Sequence, residues 1–334
     1  MFFEKGSYLP SFLLAITQIG WFGVGVAMFA VPVHKVTGID MYVLIAIAGI
    51  AMSLTAFFGM KSLAVISFIA VPLIAWLGTT SMFKATEAVG GWSGLLEYQP
   101  TDSIKMAAAL AICIGSFISA GTLTPDFTRF AKTKKSAVST TVIAFFIGNS
   151  LMFLFGAVGA IATGKSDISE VMFLQGLIIP AIIVLGLNIW TTNDNALYAS
   201  GLGLSNITKL PKQKIVVCNG IAGTLAAMWL YNNFVDFLTL LGTALPPIGA
   251  IILADFFILH KGKYKAFTEM NFKPVNWIAI CAWIAGAAAA NFLPGIAPIN
   301  ALVVSALCHV GISLIAAQFN HKETVVSTME KVGQ

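Results

Sequence analysis

The amino-acid sequence predicts an all-α, polytopic transmembrane helical bundle, and three observations carry that prediction. Of 334 residues, 58% are apolar and only 10% charged, with a mean hydropathy of +0.88. A soluble domain keeps roughly 25% charged residues to stay wetted. Asp, Glu, Lys and Arg are missing from residues 6–33, 41–60, 62–83, 106–125, 136–164, 171–193, 215–235, 237–254 and 274–321. These lengths are comparable with, or longer than, the roughly 20 residues that a spanning helix needs. The basic residues, finally, return to alternate connections. A large soluble core would leave almost no polar surface for water, and outer-membrane strands would alternate in polarity, which these runs do not.

The first run, within MFFEKGSYLPSFLLAITQIGWFGVGVAMFAVPV, exceeds a signal-peptide core and follows a single lysine, Lys5. It reads as a span and not as a cleavable leader. Inside it Gln18 and Trp21 lie three apart, on one face, among Gly20, Gly23 and Gly25. An amide that donates and accepts beside a flat indole suits a planar heterocycle; an interfacial tryptophan and a helix-bridging glutamine are the ordinary alternative. The second and third runs are bland. The fourth carries Gly115-Ser116-Phe117-Ile118-Ser119-Ala120-Gly121-Thr122 near its middle, which fits either a discontinuous helix with a central ligand site or a close helix–helix contact. Phe117 offers an aromatic face between Ser116 and Ser119.

The fifth run is bland, and the sixth is the richest. Asn188, Thr191, Thr192 and Asn195 sit at i, i+3, i+4 and i+7 and so share a face. Such a stripe is costly against lipid; its oxygens can ligate a hard monovalent cation and its amides can read a polar solute, and a structural hydrogen-bond network is the alternative. Asp194 lies one step off the stripe, as a coupling carboxylate or a structural acid near a helix end. The last run is broken by NFLPGIAPIN at 291–300, giving ten spans in one transmembrane domain over residues 1–334.

Fifteen of the 19 basic residues fall on one side by parity: Lys5, Lys61, Arg129, Lys132, Lys134, Lys135, Lys209, Lys212, Lys214, Lys261, Lys263, Lys265, Lys273, Lys322 and Lys331. Lys35, Lys84, Lys105 and Lys165 remain on the other. The basic-rich side is expected to be cytoplasmic, with both termini there. The net charge of +5 is therefore a topological signal, and no nucleic acid is expected as partner. Cys113, Cys218, Cys281 and Cys308 lack paired spacing, and the four histidines form no metal-binding constellation. No phosphate-binding loop, HExxH or G-x-S-x-G motif occurs, so gradient-driven transport is expected and enzymatic chemistry is not.

The runs LLAITQIGWFGVGVAMFAVPV, AICIGSFISAGTLTPDFTRF, FFIGNSLMFLFGAVGA, LGLNIWTTNDNALYASGLGLSNIT, LYNNFVDFLTLLG and PPIGAIILADFF resemble the nucleobase–cation symport family of purine and cytosine permeases over essentially the whole chain. The resemblance implies a leucine-transporter-like fold of twelve helices, with two inverted five-helix repeats and interruptions in helices one and six. The spans here then look like helices three to twelve, the first two being absent, and the fourth run becomes helix six. It further implies that Trp21 and Phe117 enclose cytosine and that Gln18, Ser116 and Ser119 bind or line it. Asn188 would lie near both substrate and sodium, Thr191 and Thr192 would ligate sodium, and Asn193 would line the site. The implied activity is secondary uptake of cytosine with sodium across the bacterial inner membrane, among membrane lipid and without an obligate protein partner or cofactor. A permease for another nucleobase or hydantoin, coupled to sodium or protons, and an inactive membrane remnant are the alternatives.

Overall fold

A computed structural model describes residues 2, 5–58, 60–100, 103–264 and 274–332; the side chains of 60–63 and 320–332 lie outside the description. Of the lysines that set the expected topology, Lys265 and Lys273 lie outside the described residues, as do the side chains of Lys61, Lys322 and Lys331.

The described residues form helices α1 (Tyr8–Thr37), α2 (Met41–Phe58), α3 (Met60–Ala88), α4 (Gly91–Leu96), α5 (Met106–Thr128), α6 (Lys134–Val142), α7 (Asn149–Thr163), α8 (Ile168–Leu174), α9 (Ile178–Thr208), α10 (Lys212–Asn232), α11 (Phe234–Ala244), α12 (Pro246–Ala254), α13 (Trp277–Phe292) and α14 (Ala297–Val332). A π-helical turn at Ile143–Gly148 joins α6 to α7, and a second at Asp255–Leu259 extends α12. Among the described residues eight helical runs are long and apolar enough to cross a membrane. The 31-residue α9 carries the polar stripe instead, and α13 has 16 residues.

Three features depart from the sequence reading. The sixth run starts too early: residues 168–174 form the separate helix α8, and Gly176, at φ 76°, turns the chain into α9 at Ile178. Helix α9 also continues through Asp194 to Thr208, so that acid sits inside a helix and not near its end. The Gly/Ser stretch of α5 is unbroken helix. Ser116 Oγ donates to the Cys113 carbonyl at 2.7 Å and Thr122 Oγ1 to that of Ile118 at 2.8 Å, so no backbone group is released. Gly115 packs where the Leu238 carbonyl leaves no room for a Cβ, which is the close-contact alternative.

A discontinuity occurs between α11 and α12 instead. Pro246 and Pro247 have no N–H to give to the Gly242 and Thr243 carbonyls, the Ile248 N–H turns to the Leu245 carbonyl, and the Ala244 carbonyl left over accepts from Trp283 Nε1 at 2.9 Å. The Pro-Pro pair was the signal for it in the sequence.

The chain forms two compact units. One comprises Met1–Leu13, Ile104–Thr122 and Val235–Gln334. Its α12, α13 and α14 pack closely, Ile248 and Ile251 are fully buried, and a Cβ on Gly286 would meet the Ala301 carbonyl at 2.7 Å. Its buried acid, Asp255, is 3% exposed and tied to His309 of α14. It is a core residue.

The other unit comprises Leu14–Ser103 and Leu123–Phe234. Phe22, Val26, Met52 and Leu197 form a core among α1, α2, α9 and α10, and Leu77, Met172, Ala181 and Val184 form another among α3, α8 and α9. Small residues bring its helices together: Gly23 faces the Gly223 carbonyl, Gly49 faces Thr224, and Gly220 faces Ser53, each without space for a Cβ. Phe68, Phe146 and Leu225 are 85%, 74% and 83% exposed, a cost in water and none against acyl chains.

Candidate functional site

The candidate site is built on α9, because a 31-residue helix that must hold Asn188, Thr191, Asn193 and Asp194 inside a bundle has to satisfy them there. Thr191 and Thr192 both donate to the Asn188 carbonyl, at 2.9 Å each. Asn195 Nδ2 likewise donates to the Thr191 carbonyl at 3.1 Å. Much of the stripe therefore satisfies itself on its own helix, and the hydroxyl oxygens keep lone pairs to offer. Thr191 is buried and Thr192 exposed. Within its unit the Asn188 amide finds no hydrogen-bond partner among the described residues.

Asn193 is fully buried. Its Nδ2 donates to the Phe22 carbonyl at 3.3 Å and approaches Met52 Sδ at 3.1 Å. Its Oδ1 lies against Gly25, which leaves no room for a Cβ, and has no hydrogen-bond partner among the described residues. Asp194, 1% exposed, accepts from Thr55 Oγ1 of α2 at 2.7 Å through Oδ1. Thr55 Oγ1 in turn accepts from Trp190 Nε1 at 2.9 Å. Asp194 Oδ2 has no hydrogen-bond partner among the described residues. Two adjacent buried residues thus each present an oxygen without a donor, which is costly unless something else supplies one. Thr55 and Trp190 escaped the sequence reading: Thr55 is 139 residues from Asp194, and no local spacing marks the pair.

In the same unit Gln18 is buried at 8% exposure, and Trp21 sits half-buried at the edge of the core, edge-on to Phe234 with centroids 5.7 Å apart. Ser116, Phe117 and Ser119 belong to the other unit, where Ser119 is buried and Phe117 half-buried.

A cavity of about 120 Å³ opens among α1, α8 and α9. Phe29, Pro32, Ser169, Phe173, Gly186 and Asn188 line it. A Cβ on Gly186 would come within 3.0 Å of the Phe29 ring, so the glycine keeps the wall open. The volume equals about four waters, far below the roughly 300–1,000 Å³ of drug-sized sites. Two aromatic rings and one free amide around so small a space suit a small flat polar solute. The segment that roofs it, α8, carries Glu170, which pairs with Lys35 of α1 and, at 3.6 Å, with Lys165. The Lys35 ammonium holds the Glu170 carboxyl below the usual carboxylate range. Lys84 donates to the Gln175 carbonyl at 3.3 Å. Three of the four lysines assigned by parity to the basic-poor side thus meet on one short segment.

The family model describing permeases for cytosine/purines, uracil, thiamine and allantoin matches residues 4–313. Cytosine permease of Escherichia coli (strain K12) is 53% identical over 324 residues, 97% of this chain and 76% of that protein. The cytosine permease of Escherichia coli O157:H7 matches to the same extent. Hydantoin permease of Microbacterium maritypicum is 20% identical over 344 residues, 92% of this chain and 70% of the other. The solved structure of Mhp1 in its inward-facing conformation superposes with a TM-score of 0.77 at 19% identity, over 95% of this chain and 76% of that one. The fold is accordingly the all-α, leucine-transporter-like inverted-repeat bundle of a polytopic membrane protein. Matched along nearly its full length by that family and by relatives at 53% identity, the chain is a non-enzymatic membrane transporter and belongs to the permeases for cytosine/purines, uracil, thiamine and allantoin.

Proposed function

We propose that this chain carries cytosine into the bacterial cell together with sodium, across the inner membrane and with both termini cytoplasmic. The 53% identity to Escherichia coli cytosine permeases supports the substrate, and the observation that carries the site is the Asn188 amide, free of hydrogen bonds among the described residues and lining a small aromatic-walled cavity. An amide offers both a donor and an acceptor to the edge of a pyrimidine. Trp21 would supply a stacking face and Gln18 a further polar edge; the family pattern assigns Phe117, Ser116 and Ser119 corresponding roles from their own unit. The family pattern also assigns Asn193 a site-lining place, next to Asp194 on α9.

Sodium is proposed at Asn188, Thr191 and Thr192. Two hydroxyl oxygens converging on one carbonyl at 2.9 Å make an oxygen cluster of the kind that hard cations take. The ten helical runs would correspond to helices three to twelve of the family, in one transporter domain. Coupling is reciprocal, so sodium should tighten cytosine binding as cytosine tightens sodium binding.

Uptake of radiolabelled cytosine into vesicles, with and without an imposed sodium gradient, is the test. Faster uptake with the gradient, and a raised sodium requirement in Thr192→Ala, are expected; equal uptake under both conditions rejects sodium coupling. Competition by uracil, adenine and hydantoin separates cytosine from the second reading, which the hydantoin permease match favours.

A further inference from the structure

The short segment over the Asn188 cavity is fastened differently at its two ends. We infer that its α1 end is a charge latch, released to open the cavity, and that its α3 end is the hinge. This regulation rests on the reading of Asn188 as part of the transport site.

The segment runs from Gly164 to Gly176, at φ 68° and 76°, and has α8 between them. Glycine at both limits gives the backbone the freedom that a pivot requires. Ser169 and Phe173, one helical turn apart, face the cavity. At the α3 end Ser81 Oγ donates to Gln175 Oε1 at 2.7 Å, and Gln175 Nε2 donates back to the Ser81 carbonyl at 3.0 Å. Ser81 is 2% exposed, and Met172 is buried against Leu77 beside it. This pair is neutral, reciprocal and partly buried, so salt does not screen it, and the Lys84 ammonium beside it meets the uncharged Gln175 carbonyl.

At the α1 end Glu170 holds Lys35 and Lys165, with side chains 28%, 46% and 50% exposed. Exposed ion pairs hold weakly and are screened by salt. Asp167 and Tyr231 are the other titratable groups within electrostatic reach of this cluster. The Lys35 ammonium lowers the Glu170 carboxyl, so acid loosens this pair at a lower pH than it would discharge a free carboxylate. Screening by salt loosens it at neutral pH.

The test uses the full chain in detergent, with Cys113, Cys218, Cys281 and Cys308 replaced by serine and a cysteine placed in the cavity wall by Ile182→Cys. The rate of labelling by N-ethylmaleimide, which is uncharged, reports opening. At low salt Glu170→Gln, which frees both lysines, should raise the rate by up to about fivefold. Lys35→Met should raise it less, and the exchange Lys35→Glu with Glu170→Lys should return it toward the starting value. Added salt should speed the unaltered latch and leave Glu170→Gln unchanged. Equal rates in all variants, or no effect of salt on the unaltered latch, would overturn the proposal. Cytosine should slow labelling if the cavity is its site. Charge-dependent labelling without cytosine protection keeps the latch and sinks the transport reading; protection without charge dependence does the reverse.

Discussion

Two carboxylates are buried in this protein to nearly the same depth, Asp255 at 3% exposure and Asp194 at 1%, yet their surroundings differ in kind. Asp255 accepts from His309 Nε2 at 3.1 Å on one oxygen and from the Tyr264 hydroxyl at 2.5 Å on the other, with His260 Nδ1 3.3 Å away. Burial and the neighbouring carboxylate push the Tyr264 phenol up, so it stays a donor. A carboxylate only accepts, so His309 must carry its proton on Nε2. Asp194 has Thr55 on one oxygen and no partner on the other among the described residues. A fully supplied acid is a fastening between α14 and the end of α12. A half-supplied one, next to Asn193 with its own unpartnered oxygen, leaves acceptors that a solute, ion or water would complete.

The largest expected effect that would break this contrast is at the fastening. His309→Leu removes a donor from a buried carboxylate and should cost about 3–5 kcal/mol, read as a drop in thermal stability of the purified protein. Thr55→Val should cost about 1–3 kcal/mol, because it leaves both the Asp194 carboxyl and the Trp190 N–H unpaired; the same measurement checks it. Asp194→Asn is nearly isosteric and keeps an oxygen for Thr55, so it should change stability by no more than about 1 kcal/mol. Its uptake should nevertheless fall by about tenfold or more, the loss of one charge-assisted contact. An Asp194→Asn protein as unstable as His309→Leu would erase the distinction.

The transmembrane class was open to reading because lipid forbids charge over lengths that can be counted in residues. The polar stripe of α9 was visible for the same reason. What Asn193 and Asp194 touch was not: Phe22, Met52 and Thr55 are 171, 141 and 139 residues away in sequence, and packing alone selects them. Glycine proved ambiguous. In α5 it serves close contact without interrupting the helix, whereas the break falls at Pro246–Pro247, where two successive residues lack an N–H; the single prolines Pro32, Pro72 and Pro125 lie within continuous helices. Helix α8 was lost inside an apolar run, since one glycine, Gly176, turns the chain without changing its hydropathy.

The paired notches of α2 and α10, Gly49 with Thr224 and Gly220 with Ser53, bear on how this transporter can move. Teeth that interlock at two levels resist both sliding and rotation, so these two helices travel as one plate. Any change of access must be taken up at other joints, and a bulky residue cut into either notch would pry the plate apart at its seam.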